Sequence, residues 1–228
     1  MGGVGCAPFA SLNLGQHVGD SEAAVVHNRQ VLARALPAGS HIQWLHQVHG
    51  NQVVEAGADD EYPAADAVWS RSANVACAVL TADCLPVLFC SSSGDQVAAA
   101  HAGWRGLLDG VLEATVAAMT APPGQILAWL GPAIGPGAFE VGAEVRAQYL
   151  AGAAAADAAQ VAACFVPSAG NARHYLADLY ALARLRLRLA GVTRVYGGGL
   201  CTFSDAAQFF SYRRDGQTGR MASLIQLH

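Results

Sequence analysis

Charge is scarce in this chain: only 13% of its 228 residues are charged, against roughly 25% in an average globular protein. With 53% of the residues apolar, a large share of the chain must be buried inside itself or under a partner. The net charge is −4, and no basic cluster sits among aromatics. The electrostatic footprint of a nucleic-acid binder is therefore missing. No uncharged apolar run approaches the roughly 18 residues of a membrane-spanning helix, so no membrane partner is expected. Residues 1–15 lack the basic segment and apolar stretch of a secretory signal, and position 6 is Cys where N-myristoylation needs Ser or Thr. The cysteines at 6, 77, 84, 90, 164 and 201 are dispersed, unlike a disulfide miniprotein or a zinc finger. Reduced thiols in a cytoplasm are the expectation. Gly197-Gly198-Gly199 lacks the frame of a nucleotide-binding loop.

What the chain does have is concentrated in residues 75–106, VACAVLTADCLPVLFCSSSGDQVAAAHAGWRG. Short apolar runs bounded by turn residues suit strands buried on both faces. Such a segment has no packing use for Asp83 or His101, because an unpaired charge in an apolar interior costs several kcal/mol. Asp83, Cys84 and His101 are thus the first candidates for chemistry. The plainer alternative for Cys84 is a small buried hydrophobe.

In chain order, Asp20 or Ser21 is expected to cap a helix over 22–36, and Asn13 to serve either a turn or a substrate site. Residues 42–49 read as a strand in a hairpin with 52–55 through Gly50-Asn51. On that strand His46 and His49 face opposite sides, so only His49, at its end, is expected in a cleft. Residues 56–65, with Asp59-Asp60-Glu61, read as a solvated acidic loop, and 66–69 as a strand start. One helix is expected over 106–119, with Arg105 at its N-terminus positioned for an anion. A strand over 126–130 and a rigid loop at 131–137 follow, then a helix over 142–150 that continues through 151–164. A further helix spans 176–189, its Arg184, Arg186 and Arg188 on a solvated face. A strand over 192–196 and a last strand over 221–227 complete the chain. Between them, Arg213, Arg214 and Arg220 beside glycines suggest either an anion clamp or a plain surface hairpin. No repeat or interior linker interrupts the chain, so residues 1–228 read as a single mixed α/β domain.

His49, Cys84 and His101 are separated by 35 and 17 residues. Three dispersed ligands with a fourth position open match a catalytic rather than a structural zinc site. A thiol nucleophile, Cys84 activated by His101 with Asp83 nearby, uses the same residues.

The sequence resembles the YfiH-type laccase-domain family, formerly described as multicopper polyphenol oxidases and later as purine nucleoside phosphorylases. The resemblance covers nearly the whole chain. It rests on Ser11-Leu12-Asn13-Leu14-Gly15, Gln47-Val48-His49-Gly50 and Leu80-Thr81-Ala82-Asp83-Cys84-Leu85-Pro86-Val87. It continues through Ala100-His101-Ala102-Gly103-Trp104-Arg105-Gly106, Gly131 to Pro136, and Phe209 to Gly219. It implies a layered αββα fold with mixed sheets, and zinc, or less favourably copper, on His49, Cys84 and His101. It also implies phosphorolysis of adenosine, inosine and methylthioadenosine, with some adenosine deamination. Inorganic phosphate and purine nucleosides are then the partners. Arg105, Arg213 and Arg214 are candidates for holding phosphate, and Asp83 for moving a proton or steadying a ligand. The competing classes are a Cys–His hydrolase editing peptidoglycan precursors and a copper-dependent polyphenol oxidase. Ala133 and Gly137 stand where family members often carry cysteines, which weighs against a cysteine-rich multicopper arrangement. The oligomeric state is open between monomer and dimer.

Overall fold

A strand's side chains alternate between two faces, so a segment apolar at every position needs a packing layer on each side. The computed structural model describes residues 2–57 and 62–228; the acidic run Asp59-Asp60-Glu61 lies outside them. Helix α1 (Glu22–Arg34) leads to strands β1 (His41–Gln43), β2 (Val53–Glu55), β3 (Ala67–Ser70), β4 (Val75–Thr81), β5 (Leu85–Ser91) and β6 (Val97–Ala102). Then come α2 (Trp104–Leu108), α3 (Val111–Ala118), β7 (Ile126–Leu130), β8 (Glu140–Gly142), α4 (Ala143–Ala151) and α5 (Ala158–Ala163). Strands β9 (Phe165–Pro167) and β10 (His174–Ala177), helix α6 (Leu179–Leu189), β11 (Arg194–Gly197), α7 (Tyr212–Asp215) and β12 (Met221–Gln226) follow.

The order β11-β7-β5-β6-β3-β2 forms one sheet, β1-β4-β12 a second and β8-β10-β9 a third, small one. The layering follows from the alternation. Leu85, Val87 and Phe89 of β5 and Ala98 and Ala100 of β6 pack with Leu107, Leu112, Leu182 and Leu187 of the helices. Val97 and Ala99 of β6 point the other way, toward Cys77 and Val79 of β4. The far face of β4, Ala76, Ala78 and Leu80, meets Leu14, Trp44 and Leu32 of α1. Helix α1, the β1-β4-β12 sheet, the six-stranded sheet and helices α2 to α6 stack in that order, the αββα architecture expected, with both stacked sheets mixed.

Local departures have local causes. The expected hairpin over 42–55 does not form: β1 pairs in parallel with β4, and β2 in parallel with β3. The chain between them folds instead around a buried carboxylate. The helix expected over 106–119 is broken into α2 and α3 at Gly110, whose φ of 89° lies in the left-handed region. The helix over 142–150 stops at Gly152 rather than running on, and α5 is a separate piece. The tail beyond 209 turns through the short helix α7 rather than a hairpin. The three arginines of α6 are not merely solvated. Arg184 donates to the carbonyls of Val195 and Gly197, Arg186 to those of Leu107 and Leu108, and Arg188 to Gln160.

Candidate metal centre

Residues 81–84 form the crossing between the two stacked sheets: β4 belongs to the β1-β4-β12 sheet and β5 to the six-stranded one. A chain changing layers within three residues must turn sharply. Asp83 does so in a left-handed conformation, φ 90°, which costs a non-glycine residue about 1–2 kcal/mol. The turn is held from three sides. The Asp83 carbonyl accepts from Ile134 N at 2.9 Å. Its carboxylate accepts from Thr202 Oγ1 at 2.6 Å and from Arg213 N at 2.7 Å. Both carboxylate oxygens are thereby engaged, one with the loop at 201–203 and one with the first turn of α7, and the next residue, Cys84, presents its sulfur to the cleft.

His49 uses a second strained residue in the same way, with φ 62°. The backbone N–H groups of Val48, His49 and Gly50 all point at the carboxylate of Asp66, at 3.1, 3.0 and 2.7 Å. Asp66 is fully buried and also accepts from His101 Nδ1 at 2.7 Å. One carboxylate therefore shapes the loop that carries one imidazole and orients the ring of the other. With Nδ1 committed, His101 has Nε2 left to offer. Its position in β6 shares the parity of Val97 and Ala99, which sends the ring to the face between the sheets.

Glycines make the approach possible. A Cβ on Gly103 would lie 3.0 Å from Cys84 Sγ, and one on Gly106 would lie 2.7 Å from the Gly50 carbonyl oxygen. The two glycines of His101-Ala102-Gly103-Trp104-Arg105-Gly106 thus let α2 start directly against the ligand loops.

The ligand atoms of His49, Cys84 and His101 all lie within 4.8 Å of one another. The two rings meet edge to face, centroids 4.8 Å apart. Burial opposes the Cys84 thiolate, yet the positive His101 and hydrogen bonds from both imidazoles pull the thiol down to about 6. Burial likewise opposes charge on His101, but the Cys84 thiolate and the Asp66 hydrogen bond push it up to about 9. For Asp66, burial is again outweighed, here by His101 and the Gly50 and Val48 amides, and its carboxyl sits below the usual range. A thiolate and two imidazoles converging on one point are a donor set that suits zinc or copper.

The trio opens into a cavity of about 520 Å³, lined also by His17, His46, Gln47, Leu80, Tyr212 and Arg220. His46 therefore shares the cleft with His49, because the segment is a loop and not a strand. Gln47 is locked by bonds in both directions to the Leu80 backbone, at 2.9 and 2.8 Å. The other residues singled out from the sequence lie elsewhere. Asn13 is fully buried, its side chain bonded to Gly15, Asp20 and the Arg220 amide. Arg105 is exposed, its guanidinium stacked over Trp104 at 4.6 Å. Arg213 reaches the Glu140 carbonyl at 2.8 Å. Arg214 is tied to Asp215 and to the carbonyls of Thr202, Phe203 and Phe209. None of these four lines the cavity around the trio. Asp66 was not anticipated as part of the site; its only signal was a carboxylate at the head of an otherwise apolar strand.

Comparison with known proteins gives a consistent picture. The family model described as multi-copper polyphenol oxidoreductase laccase matches residues 1–228. A Pseudomonas aeruginosa protein named purine nucleoside phosphorylase is 57% identical over 99% of this chain and 90% of its own length. The Escherichia coli purine nucleoside phosphorylase YfiH is 51% identical over 100% of this chain and 90% of its own length. Among solved structures, Neisseria meningitidis NMB0706 aligns with a TM-score of 0.92 at 50% identity, covering 100% of this chain and 90% of that one. YlmD of Geobacillus stearothermophilus aligns with a TM-score of 0.85 at 33% identity, covering 100% and 89%.

Proposed function

Because the chain belongs to the multi-copper polyphenol oxidoreductase laccase family, among relatives named purine nucleoside phosphorylase, we propose that it cleaves purine nucleosides with inorganic phosphate at a zinc held by His49, Cys84 and His101. The observation that carries this reading is the convergence of a depressed thiol and two imidazoles in an open cleft. The substrates in this reading are adenosine, inosine and methylthioadenosine, with adenosine deamination a secondary activity. In the reaction the C1′–N9 bond breaks, a phosphate oxygen bonds C1′, and the purine leaves with a proton. A bound zinc would supply Lewis-acid polarisation. The chain supplies the rest. Asp66 fixes the His101 tautomer and the His49 loop, Asp83 fixes the turn that aims Cys84, and Leu45, Leu80 and Ala82 give the cleft an apolar wall suited to a purine ring. Tyr212, 61% exposed at the mouth, offers a ring face to a base.

Residues 1–228 act as one catalytic unit in this reading. The six cysteines are all free, which suits a reducing compartment such as the cytoplasm. Among the described residues no helix is long and apolar enough to cross a membrane. The test is product analysis on metal-quantified protein given inosine with and without phosphate. Hypoxanthine and ribose 1-phosphate, formed only with phosphate, are expected. Phosphate-independent hypoxanthine release would replace the reading with a hydrolase. Phenol oxidation by the copper-loaded protein, without nucleoside cleavage, would replace it with an oxidase.

A further inference from the structure

Of the three arginines of the tail, Arg213 and Arg214 do not line the cavity around the trio. Arg213 spends a donor on the Glu140 carbonyl and stacks on Phe139. Arg214 is paired with Asp215 at 2.7 Å. Arg220 differs. It lines both the cavity of about 520 Å³ that holds the metal trio and an adjoining recess of about 320 Å³, as do His17 and Tyr212. It stands where the two spaces join.

The side chain is placed there deliberately. Its backbone N–H donates to Asn13 Oδ1 at 2.8 Å, and its carbonyl accepts from Leu14 N at 3.1 Å. Gly15 leaves the side chain its room, since a Cβ there would lie 2.8 Å from Arg220 Cγ. Within the guanidinium, Nη1 donates to the carbonyls of Thr218 and Gly219, both at 3.0 Å, which fixes the fork's direction. Arg220 has no ion pair with a carboxylate among the described residues. Cys84 lines the same cavity, and the neighbouring Asp83 carboxylate is already bonded to Thr202 Oγ1 and the Arg213 amide. A half-buried arginine that is rigidly held yet carries no carboxylate is poised for an anionic ligand. His17 lines the same two spaces, and burial and the nearby Arg220 charge hold its imidazole below the usual range, so that it meets an anion as a neutral ring N–H donor.

We propose that Arg220, assisted by His17, seats the inorganic phosphate of the reaction. This rests on the phosphorolytic reading above, and it moves the anion subsite from the exposed Arg105 to the wall of the cleft. Arg220 would thus be a substrate-contacting residue at the joint of the two spaces, with the nucleoside in the larger one.

The experiment uses the metal-loaded enzyme and varies phosphate and inosine independently. In Arg220→Gln the KM for phosphate should rise about tenfold or more, the scale of one lost charge-assisted hydrogen bond. The KM for inosine should stay within about twofold, the scatter of a neutral surface change. Arg220→Lys should recover part of the loss. His17→Gln, on an exposed loop, should raise the phosphate KM by a smaller factor and serves if Arg220→Gln fails to fold. Calorimetric titration with inorganic phosphate alone should show binding to the wild type and none to Arg220→Gln. Unchanged phosphate KM in both variants, or phosphate and inosine constants rising together, would overturn the assignment while leaving phosphorolysis standing. Phosphate-independent cleavage by the wild type would instead sink the phosphorolytic reading, and calorimetry would then decide whether Arg220 still binds the anion.

Discussion

The loops that carry the ligands and the layer of α4, α5 and α6 are built on opposite principles. In the outer layer, position along a helix decides everything. Leu179, Leu182, Ala183 and Leu187 recur at helical spacing and are almost fully buried, and Asp178 caps the helix by accepting from Ala181 N at 2.9 Å. Burying one such leucine contributes roughly 1.5–3 kcal/mol. In the ligand loops periodicity decides little. Two non-glycine residues sit at positive φ, two carboxylates are buried, and each carboxylate holds several donors. Strain of this kind persists only where the surroundings over-determine it. The outer layer thus stabilises the molecule without specifying chemistry, and the loops specify chemistry at a cost in stability.

That contrast can be broken by separating metal content from folding. The largest effect is expected for Cys84→Ser. Elemental analysis should show metal falling from about one ion per chain, the stoichiometry of a three-ligand catalytic site, to near none, while the far-ultraviolet circular dichroism stays native. Wild-type metal in this variant and in His101→Ala would remove the assignment. The converse is Leu187→Ala, expected to lower unfolding free energy by about 2–5 kcal/mol, with metal content of the folded protein unchanged. Metal loss there would mean the two regions are not separable.

Asp66→Asn sits between the extremes. It keeps the size but weakens the bond that orients His101, and a loss of about 10–100-fold in metal affinity is expected from chelator competition. A carboxyl whose folded pKa is depressed contributes stability that is present above its unfolded pKa and lost as pH falls through the folded value. The stability gap between wild type and Asp66→Asn should therefore be full at neutral pH and close as pH falls through and below the usual carboxylate range. A gap that widens on acidification would contradict the role given to Asp66. The smallest effect is expected for Arg105→Ala: with its guanidinium over Trp104 and exposed, kinetic constants should move by less than about twofold. A selective rise in the phosphate KM would return the anion subsite to the α2 N-terminus.

The same contrast explains what was legible in the sequence. The layers could be read because Val97, Ala98, Ala99 and Ala100 are apolar at every position and so need cover on both sides. The convergence of His49, Cys84 and His101 could be read because they stand in specific motifs. The turn at 46–50 could not: its conformation is set by Asp66, 16 to 18 residues away, and a local hairpin signal at Gly50-Asn51 lost to that buried carboxylate. Arg220 was visible only as one of three tail arginines, since its distinguishing feature is the carboxylate it lacks. Gly110 was read as helix interior because the apolar stripe runs on past it, and its left-handed φ is a backbone property that the stripe does not report.

The pairing of residues 13–15 with Arg220 ties the cleft wall to contacts between distant parts of the chain. Asn13 and Arg220 are 207 positions apart, and β12 lies against β4, the strand that leads into the Asp83 turn. Residues 13–15 therefore have no partner for these contacts nearby in the chain, and the seat forms only when the two distant segments meet. The turn that aims Cys84 depends on the same distant segment, through Thr202 and the Arg213 amide on the Asp83 carboxylate. The shape of the cleft wall is thus a property of the whole chain rather than of any one segment, and a cut anywhere between residues 15 and 220 would separate the two halves of the seat on which Arg220 rests.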